Sequence, residues 1–415
     1  MKCDICIIGA GPAGLMAAIS AAESGAAVIL IEKNAVAGKK LLATGGGRCN
    51  ITHTGDIDEF VKAYAPYGRF LKHSLYEFSA DALRQYFADH NLATKAEKDG
   101  CVFPLTNRAT DVMRILIDHA RRLNIRFIYG SKVETIRKQE LLFVIATAKE
   151  TFFAYSVIIA AGGCSWPHTG STGDGYDFAK QLGHTITPPH AALVPLVATE
   201  KWLSELAGVS LPNVILAAKP ADKKITVAGP MLFTHDGIGG PAVLNFSRLI
   251  ADDLTHLAKP IAAEIDLFPQ RQSDELEKQI LDLCAVHPRK ELAGVLQPLM
   301  PRAMALAICK LLEPSANLLA GQLTKPKRRE LVTLLKHLTI HIKHPRPIAE
   351  ATITRGGIPT GEIDSKTMES KICKGLFFAG EVIDVDGPCG GYNLQIAFST
   401  GRLAGKSAAK AVLNL

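Results

Sequence analysis

The stretch CDICIIGAGPAGLMAAISAAESGAAVILIEK, residues 3–33, decides the fold. An apolar run, Cys6 to Ile8, meets a glycine-rich turn. A segment of helical composition follows over 12–24, Gly25 ends it, and a second apolar run occupies 27–31. Continuous apolar runs of this length, bounded by turn residues, are buried strands. Two such strands joined by one helix form a right-handed parallel βαβ unit. Its turn, Gly9-Ala10-Gly11-Pro12-Ala13-Gly14, has the spacing G-x-G-x-x-G. Glycines there permit a tight turn, close backbone approach to a pyrophosphate, and close packing of helix on strand. The helix N-terminus adds partial positive charge for the phosphates. Glu32 ends the second strand, where a carboxylate accepts hydrogen bonds from a ribose hydroxyl. The candidate dinucleotide contacts are therefore Gly9, Gly11, Pro12, Ala13, Gly14 and Glu32, with Lys33 beside it.

The rest of the chain sets the context. A length of 415 residues exceeds one typical hydrophobic core, so two or three domains are expected. A chain 47% hydrophobic and 21% charged is neither disordered nor fibrous. The net charge of +7 gives mild attraction to anions and is too small to argue for nucleic acid. The nine cysteines are odd in number and scattered, which disfavours a disulfide scaffold. Cys3 and Cys6 form the one C-x-x-C, but an offset of three on a strand puts them on opposite faces, so neither a metal nor a redox pair is expected. Glycines interrupt the apolar N-terminus too early for a membrane span or signal peptide, which leaves a cytoplasmic, soluble enzyme as the expectation.

Further along, 81–90 and 109–123 read as helices, and 125–163 as strands in hairpins ending on the buried run 157–160. Residues 193–269 are strand-like and rich in Gly and Pro, and 270–340 are helical. Buried-strand character then resumes in GLFFAGEV, followed by a glycine-led helix. The expected class is α/β, a Rossmann-like dinucleotide domain in two parts, 1–192 and 341–415. It is interrupted by a β-rich subdomain, 193–269, and a helical one, 270–340.

FAD and NAD both use the N-terminal fingerprint, and Glu32 disfavours NADP by repelling its 2′-phosphate. SVIIAAGG (156–163), GLFFAGEVIDVDG (375–387) and GGYNLQIAFSTG (390–401) favour FAD. They add glycines and carboxylates at strand ends and a second helix N-terminus over Gly390 and Gly391. Asp384 joins the site on this basis. No second G-x-G-x-x-G exists, so a nicotinamide, NAD(P)H, is expected only as a transient co-substrate.

These segments, together with GKKLLATGGGRCNIT (38–52), GCVFP (100–104), PHTGSTGDGY (167–176), LFTHDGIGGPAVLNFS (232–247), ATITRGG (351–357) and TMESK (367–371), resemble the BaiN-like (YhiN-type) flavoproteins in the same order. That family also goes under the names aminoacetone-oxidase-family FAD-binding enzymes and NAD(P)/FAD-dependent oxidoreductases. The resemblance implies a split FAD-binding Rossmann domain and places 45–50 along the cofactor. It assigns FAD contacts to Gly46, Gly47, Arg48, Cys49, Asn50, Val133 (at the adenine), Ala161, Gly162, Gly380, Glu381, Gly391, Asn393, Leu394 and Gln395. Lys39 and Lys40 are candidates to balance pyrophosphate charge. Gly239 departs from the commonest family pattern, which has Ser there.

Three residues are candidates for chemistry. His235 lies in a glycine-rich loop with Asp236 adjacent, and an imidazole exchanges protons near neutral pH. Cys49 is expected to be a reactive thiol if Arg48 lowers its pKa, and otherwise to pack against the cofactor. Arg355 is placed to grip a substrate carboxylate, with His168 and Tyr392 as weaker candidates. No metal site is expected. The basic run 325–329 lacks interleaved aromatics and reads as a solvated helix face. The expected activity is flavin-mediated hydride transfer from NAD(P)H to a small organic substrate. An O₂-using amine or aminoketone oxidase and a non-catalytic flavin-bound sensor or RNA-associated protein are the alternatives. The oligomeric state is open.

Overall fold

The computed structural model describes residues 1–220, 223–256, 259–313 and 317–414. The chain divides into two compact units, 1–190 with 348–415, and 191–347.

The first unit is built on β1 (Lys2–Ile8), α1 (Pro12–Glu23) and β2 (Val28–Ile31). β1 pairs in parallel with β2 on one side and with the strand Thr151–Ile159 on the other. Parallel pairing continues outward to Arg126–Ile128 beyond β2, and to Leu376–Phe378 beside the end of Thr151–Ile159. Leu142–Thr147 and Val133–Gln139 complete the seven strands as antiparallel neighbours. Ile5, Cys6 and Ile7 are fully buried, as a central strand covered on both faces requires. Cys3 and Cys6 are both buried, and burial raises both thiol pKa values, to about 12 for Cys3.

Glycine decides how the helices sit. A Cβ on Gly14 would lie 1.8 Å from the Gly9 carbonyl oxygen, so only glycine lets α1 close on its own strand. The C-terminal helix Tyr392–Leu413 packs along α1 in the same way. A Cβ on Gly401 would lie 2.4 Å from the Ala13 carbonyl oxygen, and one on Gly405 would lie 2.1 Å from that of Ala17. The two helix backbones touch, although 368 residues (24–391) lie between the helices.

The second unit is a closed barrel in the order Leu196–Ala198, Gly237–Gly239, Ile225–Phe233, Ser210–Ala218, Ile261–Asp266, Leu338–Pro345. Burial alternates along Ile261–Asp266 and Leu338–Pro345, as for strands with one face inward. Helices Ser273–Val286, Arg302–Leu312 and Lys325–Lys336 lie in sequence between the last two strands. This corrects the expected boundary at 340. The strand Leu338–Pro345 closes the barrel, and the second unit runs on to Pro347.

The basic run is part of the helix Lys325–Lys336. Lys327 pairs with Glu313, and Glu277 takes Arg328 at 3.1 Å and Arg329 at 3.8 Å. No helix among the described residues is long and apolar enough to cross a membrane.

The helix contact generates a test. Gly405→Val is expected to lower unfolding stability by about 3 kcal/mol, or to block folding, because the new side chain has no room. Gly361→Ala, where a Cβ meets nothing within 4 Å, is the control and is expected to change stability by less than about 0.5 kcal/mol. Urea denaturation measures both, and equal stabilities would refute the contact.

Candidate functional site

The parallel strands of the first unit end on one edge of the sheet, where ligands of open α/β folds bind. Gly9–Gly14, Glu32, Ala161, Gly162 and Gly380 all follow strand ends there. Glu32 is 8% exposed and rigidly held. One carboxylate oxygen accepts from the Ala10 N–H at 2.8 Å, and the other from the Asn34 N–H and Nδ2, each at 2.8 Å. Its backbone oxygen accepts from the Ser131 N–H at 3.1 Å. The Ser131 Oγ beside it is buried and has no hydrogen-bond partner among the described residues. Val133 follows, also buried.

The glycine loop is left-handed throughout: φ is 57° at Gly45, 65° at Gly46 and 87° at Gly47. Side-chain-bearing residues resist three such positions in a row. A Cβ on Gly45 would press on the Phe103 ring at 3.1 Å, whereas Cβ atoms on Gly46, Gly47 and Gly11 would meet nothing within 4 Å. These last three glycines leave backbone open to approach. Asn50 is turned into the fold, where its side-chain oxygen accepts from the Val102 N–H at 3.2 Å.

Arg48 and Cys49 depart from expectation. Arg48 pairs with Glu97 at 2.8 Å, and its guanidinium lies 3.9 Å from the centroid of the Phe103 ring. Cys49 has no exposed surface, and burial pushes its thiol up to about 12, opposed by a hydrogen bond with Thr44. Of the two readings of Cys49, burial favours packing, because desolvation opposes the thiolate.

Lys33, Lys39 and Lys40 all have partners within the protein. Lys40 pairs with Glu381 at 2.7 Å and donates to Ser165 at 2.5 Å. The other Glu381 oxygen accepts from the Thr354 N–H at 2.8 Å and the Ser165 hydroxyl at 3.0 Å. Lys33 pairs with Asp174 at 2.7 Å, and Lys39 donates to the Asn34 side-chain oxygen at 3.1 Å. Lys33 and Lys40 therefore tie segments of the fold to one another through carboxylates of the protein itself.

Among the late residues, Gly380 donates its N–H to Thr400 Oγ1 at 2.9 Å. Gly391 caps the C-terminal helix, where a Cβ would lie 2.2 Å from the Thr52 carbonyl oxygen. Asn393 braces the 387–388 loop, accepting from the Gly387 N–H at 2.8 Å and donating to the Gly387 oxygen at 2.9 Å. The Gln395 side chain turns into the fold. It is fully buried, accepts from Thr52 at 2.6 Å and donates to the Phe78 oxygen at 2.9 Å. Leu394 is partly buried against the core.

Of the chemistry candidates, Arg355 pairs at 3.6 Å with Asp386, which is 1% exposed. A guanidinium facing a buried carboxylate is held in place by it. Asp384 accepts from the Gly356 N–H at 3.1 Å, and burial raises its pKa. His168 lies against Trp166, and Tyr392 stacks on His53 at 4.7 Å. His235 belongs to the second unit, exposed on the turn between Ile225–Phe233 and Gly237–Gly239. Its neighbour Asp236 is held by Arg346 at 2.7 Å and 2.8 Å, so that carboxylate is already paired. At Gly239 a Cβ would make only ordinary contacts, 3.7 Å to Thr234 and 3.8 Å to Pro195, so the family's serine would fit.

The family model described as the HI0933-like protein Rossmann domain matches residues 3–407. The chain belongs to this family. The HI0933-like chain is 33% identical to the 3-dehydro-bile acid delta(4,6)-reductase of Clostridium scindens, over 97% of this chain and 98% of that protein. It is 31% identical to the ribosomal RNA dihydrouridine synthase of Escherichia coli, over 96% of each. Among solved structures, the 3-ketosteroid-delta4-(5alpha)-dehydrogenase of Rhodococcus jostii shares the fold, with a TM-score of 0.51, 16% identity, and coverage of 98% of this chain and 97% of that one. The BaiN-like resemblance and the split Rossmann fold are thus borne out, and the protein is an FAD-dependent oxidoreductase.

The residues present fit FAD. Glu32 offers a fixed carboxylate, Ser131 an unspent hydroxyl, and Gly11, Gly46 and Gly47 open backbone. Glu32→Leu is expected to weaken FAD binding roughly tenfold or more, since charge-assisted hydrogen bonds are lost. Flavin fluorescence after equilibrium dialysis measures it, and unchanged retention would remove Glu32 from the site. For Cys49, alkylation of the folded protein at pH 8 is expected to spare this thiol, as peptide mass spectrometry would show. Preferential modification of Cys49 would reverse the burial argument.

Proposed function

We propose that this protein reduces a carbon–carbon double bond conjugated to a carbonyl in a small organic substrate, taking hydride from NAD(P)H. The observation that carries this reading is the pair of relatives. One is named for reducing a delta(4,6) system, the other for making dihydrouridine, and each name describes saturation of a conjugated C=C bond. The fold and FAD site serve either substrate.

FAD, when bound, would supply the hydride-relay chemistry between a nicotinamide and the substrate. The chain's own residues hold and polarise. Glu32 and the open glycines 11, 46 and 47 fix the dinucleotide, and the first turn of Tyr392–Leu413 offers amides without intrahelical partners at the positive end of a 22-residue helix. Such a dipole stabilises negative charge gained on reduction. The carbon alpha to the carbonyl needs a proton as hydride reaches the beta carbon, and we assign its delivery to His235. The balance is one C=C bond, one hydride and one proton giving the saturated product and NAD(P)⁺.

Anaerobic mixing with NAD(P)H is expected to bleach the flavin, and a conjugated enone such as a 4-en-3-one steroid acid to restore its colour with formation of the saturated ketone. Restoration by O₂ with substrate-dependent peroxide, and no saturated product, would favour the oxidase. Restoration by ribosomal RNA alone would move the substrate to a uracil base. His235→Asn is expected to slow enone turnover at least about tenfold while leaving bleaching by NAD(P)H unchanged. Equal turnover would move the proton donor elsewhere.

A further inference from the structure

The segment TMESK, 367–371, precedes the strand Leu376–Phe378, whose end carries Gly380 and Glu381. Backbone bonds tie the two together. The Ser370 N–H donates to the Leu376 oxygen at 2.7 Å, and the Phe378 N–H donates to the Met368 oxygen at 3.1 Å. The Ser370 side chain closes the turn from inside. Its Oγ accepts from the Ile372 N–H at 3.0 Å and from the Cys373 N–H at 2.7 Å.

His184 meets the same hydroxyl. Its Nε2 lies 2.7 Å from Ser370 Oγ, and its Nδ1 lies 2.8 Å from a Glu362 carboxylate oxygen. Serine, histidine and carboxylate stand in the order of a nucleophile triad. Ser370 cannot serve as the nucleophile, because it is 6% exposed and amides take both lone pairs of its Oγ. The same count fixes the protons. With its lone pairs spent, Ser370 Oγ donates to Nε2, so Nε2 accepts and Nδ1 carries the one ring proton, given to Glu362. A second ring proton, on Nε2, would point at a hydroxyl with no lone pair left. One of the hydrogen bonds at Ser370 must then break.

The surroundings offer that proton no other acceptor. The imidazole side chain has no exposed surface. Burial lowers its pKa, against the Glu362 carboxylate, which raises it. Among the described residues, Glu362 is the charged group in contact with the ring, and it also accepts from the Thr185 N–H at 3.1 Å. The charged side chains of the packed loop turn elsewhere. Lys371 donates to the Gly361 oxygen at 2.9 Å, Glu369 accepts from the Gly375 N–H at 2.8 Å, and Asp364 accepts from the Lys366 N–H at 2.8 Å. The strand contributes the Phe378 ring, edge-on to His184 at 4.9 Å.

We infer that His184 is an acid-sensitive latch on this loop: its neutral ring locks Ser370, and a proton on Nε2 releases the turn 370–373 and loosens the strand Leu376–Phe378. Because burial holds the ring below its ordinary value, the latch is closed above about pH 6.5, and its contribution is lost as the pH falls from there toward the folded value. The latch lies wholly within the first unit and does not depend on the redox reading.

Ring-nitrogen NMR of the flavin-loaded full-length protein tests the proton count, with His184→Gln used to assign the signal. The neutral Nδ1–H form is expected at pH 7.5. Hydrogen exchange read by mass spectrometry tests the release. After correction for the intrinsic pH dependence, protection of peptides covering 369–378 is expected to fall by up to about tenfold per pH unit below pH 6.5. In His184→Gln, which has no ring proton to gain, the fall is expected to vanish. Flavin absorbance and melting temperature confirm that the variant is folded, and His184→Asn serves both purposes if the glutamine variant does not fold. An Nε2–H or doubly protonated ring at pH 7.5, protection independent of pH in the parent protein, or the same fall in the folded variant would each overturn the inference.

Discussion

The contact of α1 with the last helix holds the catalytic unit together. Gly401 and Gly405 meet the carbonyl oxygens of Ala13 and Ala17 with no room for a side chain between them. This brings the first and last segments of the chain into one layer, although 157 residues of inserted unit lie between the parts. The dinucleotide edge depends on it. The strand Leu376–Phe378 docks beside Thr151–Ile159, Gly380 bonds to Thr400, and Glu381 reaches Lys40 across 341 residues of sequence. Small residues at helix crossings normally serve close packing. Here the same contact also aligns the strand ends along the edge where ligands of open α/β folds bind.

What could be read in the sequence was what is local. The βαβ unit, its glycines and Glu32 all fall within 33 residues, and strand periodicity and turn chemistry act at that range. What depends on distant partners was hidden. Nothing near Lys40 announces Glu381, and nothing near Arg355 announces Asp386, because burial supplies those pairings. The sign of the Cys49 shift was missed for the same reason. Adjacent Arg48 suggested activation, but the fold turns that guanidinium to Glu97 and Phe103 and leaves the thiol dry. The last barrel strand was missed because its alternation, Leu338, Ile340, Ile342, directly follows a helix whose apolar pattern runs into it.

The two units differ in what they are built from. The first carries the elements that every dinucleotide flavoprotein of this fold needs: open glycines, a ribose carboxylate and helix N-termini. The second carries the closed barrel and, on one of its turns, the exposed His235. Members of the family are named for substrates as unlike as a bile acid and ribosomal RNA, while sharing a third of their residues with this chain.

A crystal structure of the flavin-loaded protein tests the central claim most directly. The expected result is one FAD, with its ribose hydroxyls on Glu32, its pyrophosphate at the N-terminus of α1, and the backbone of Gly46 and Gly47 in van der Waals contact with it. FAD seated away from Glu32 and the 45–47 loop, or a nicotinamide dinucleotide held there in its place, would contradict it.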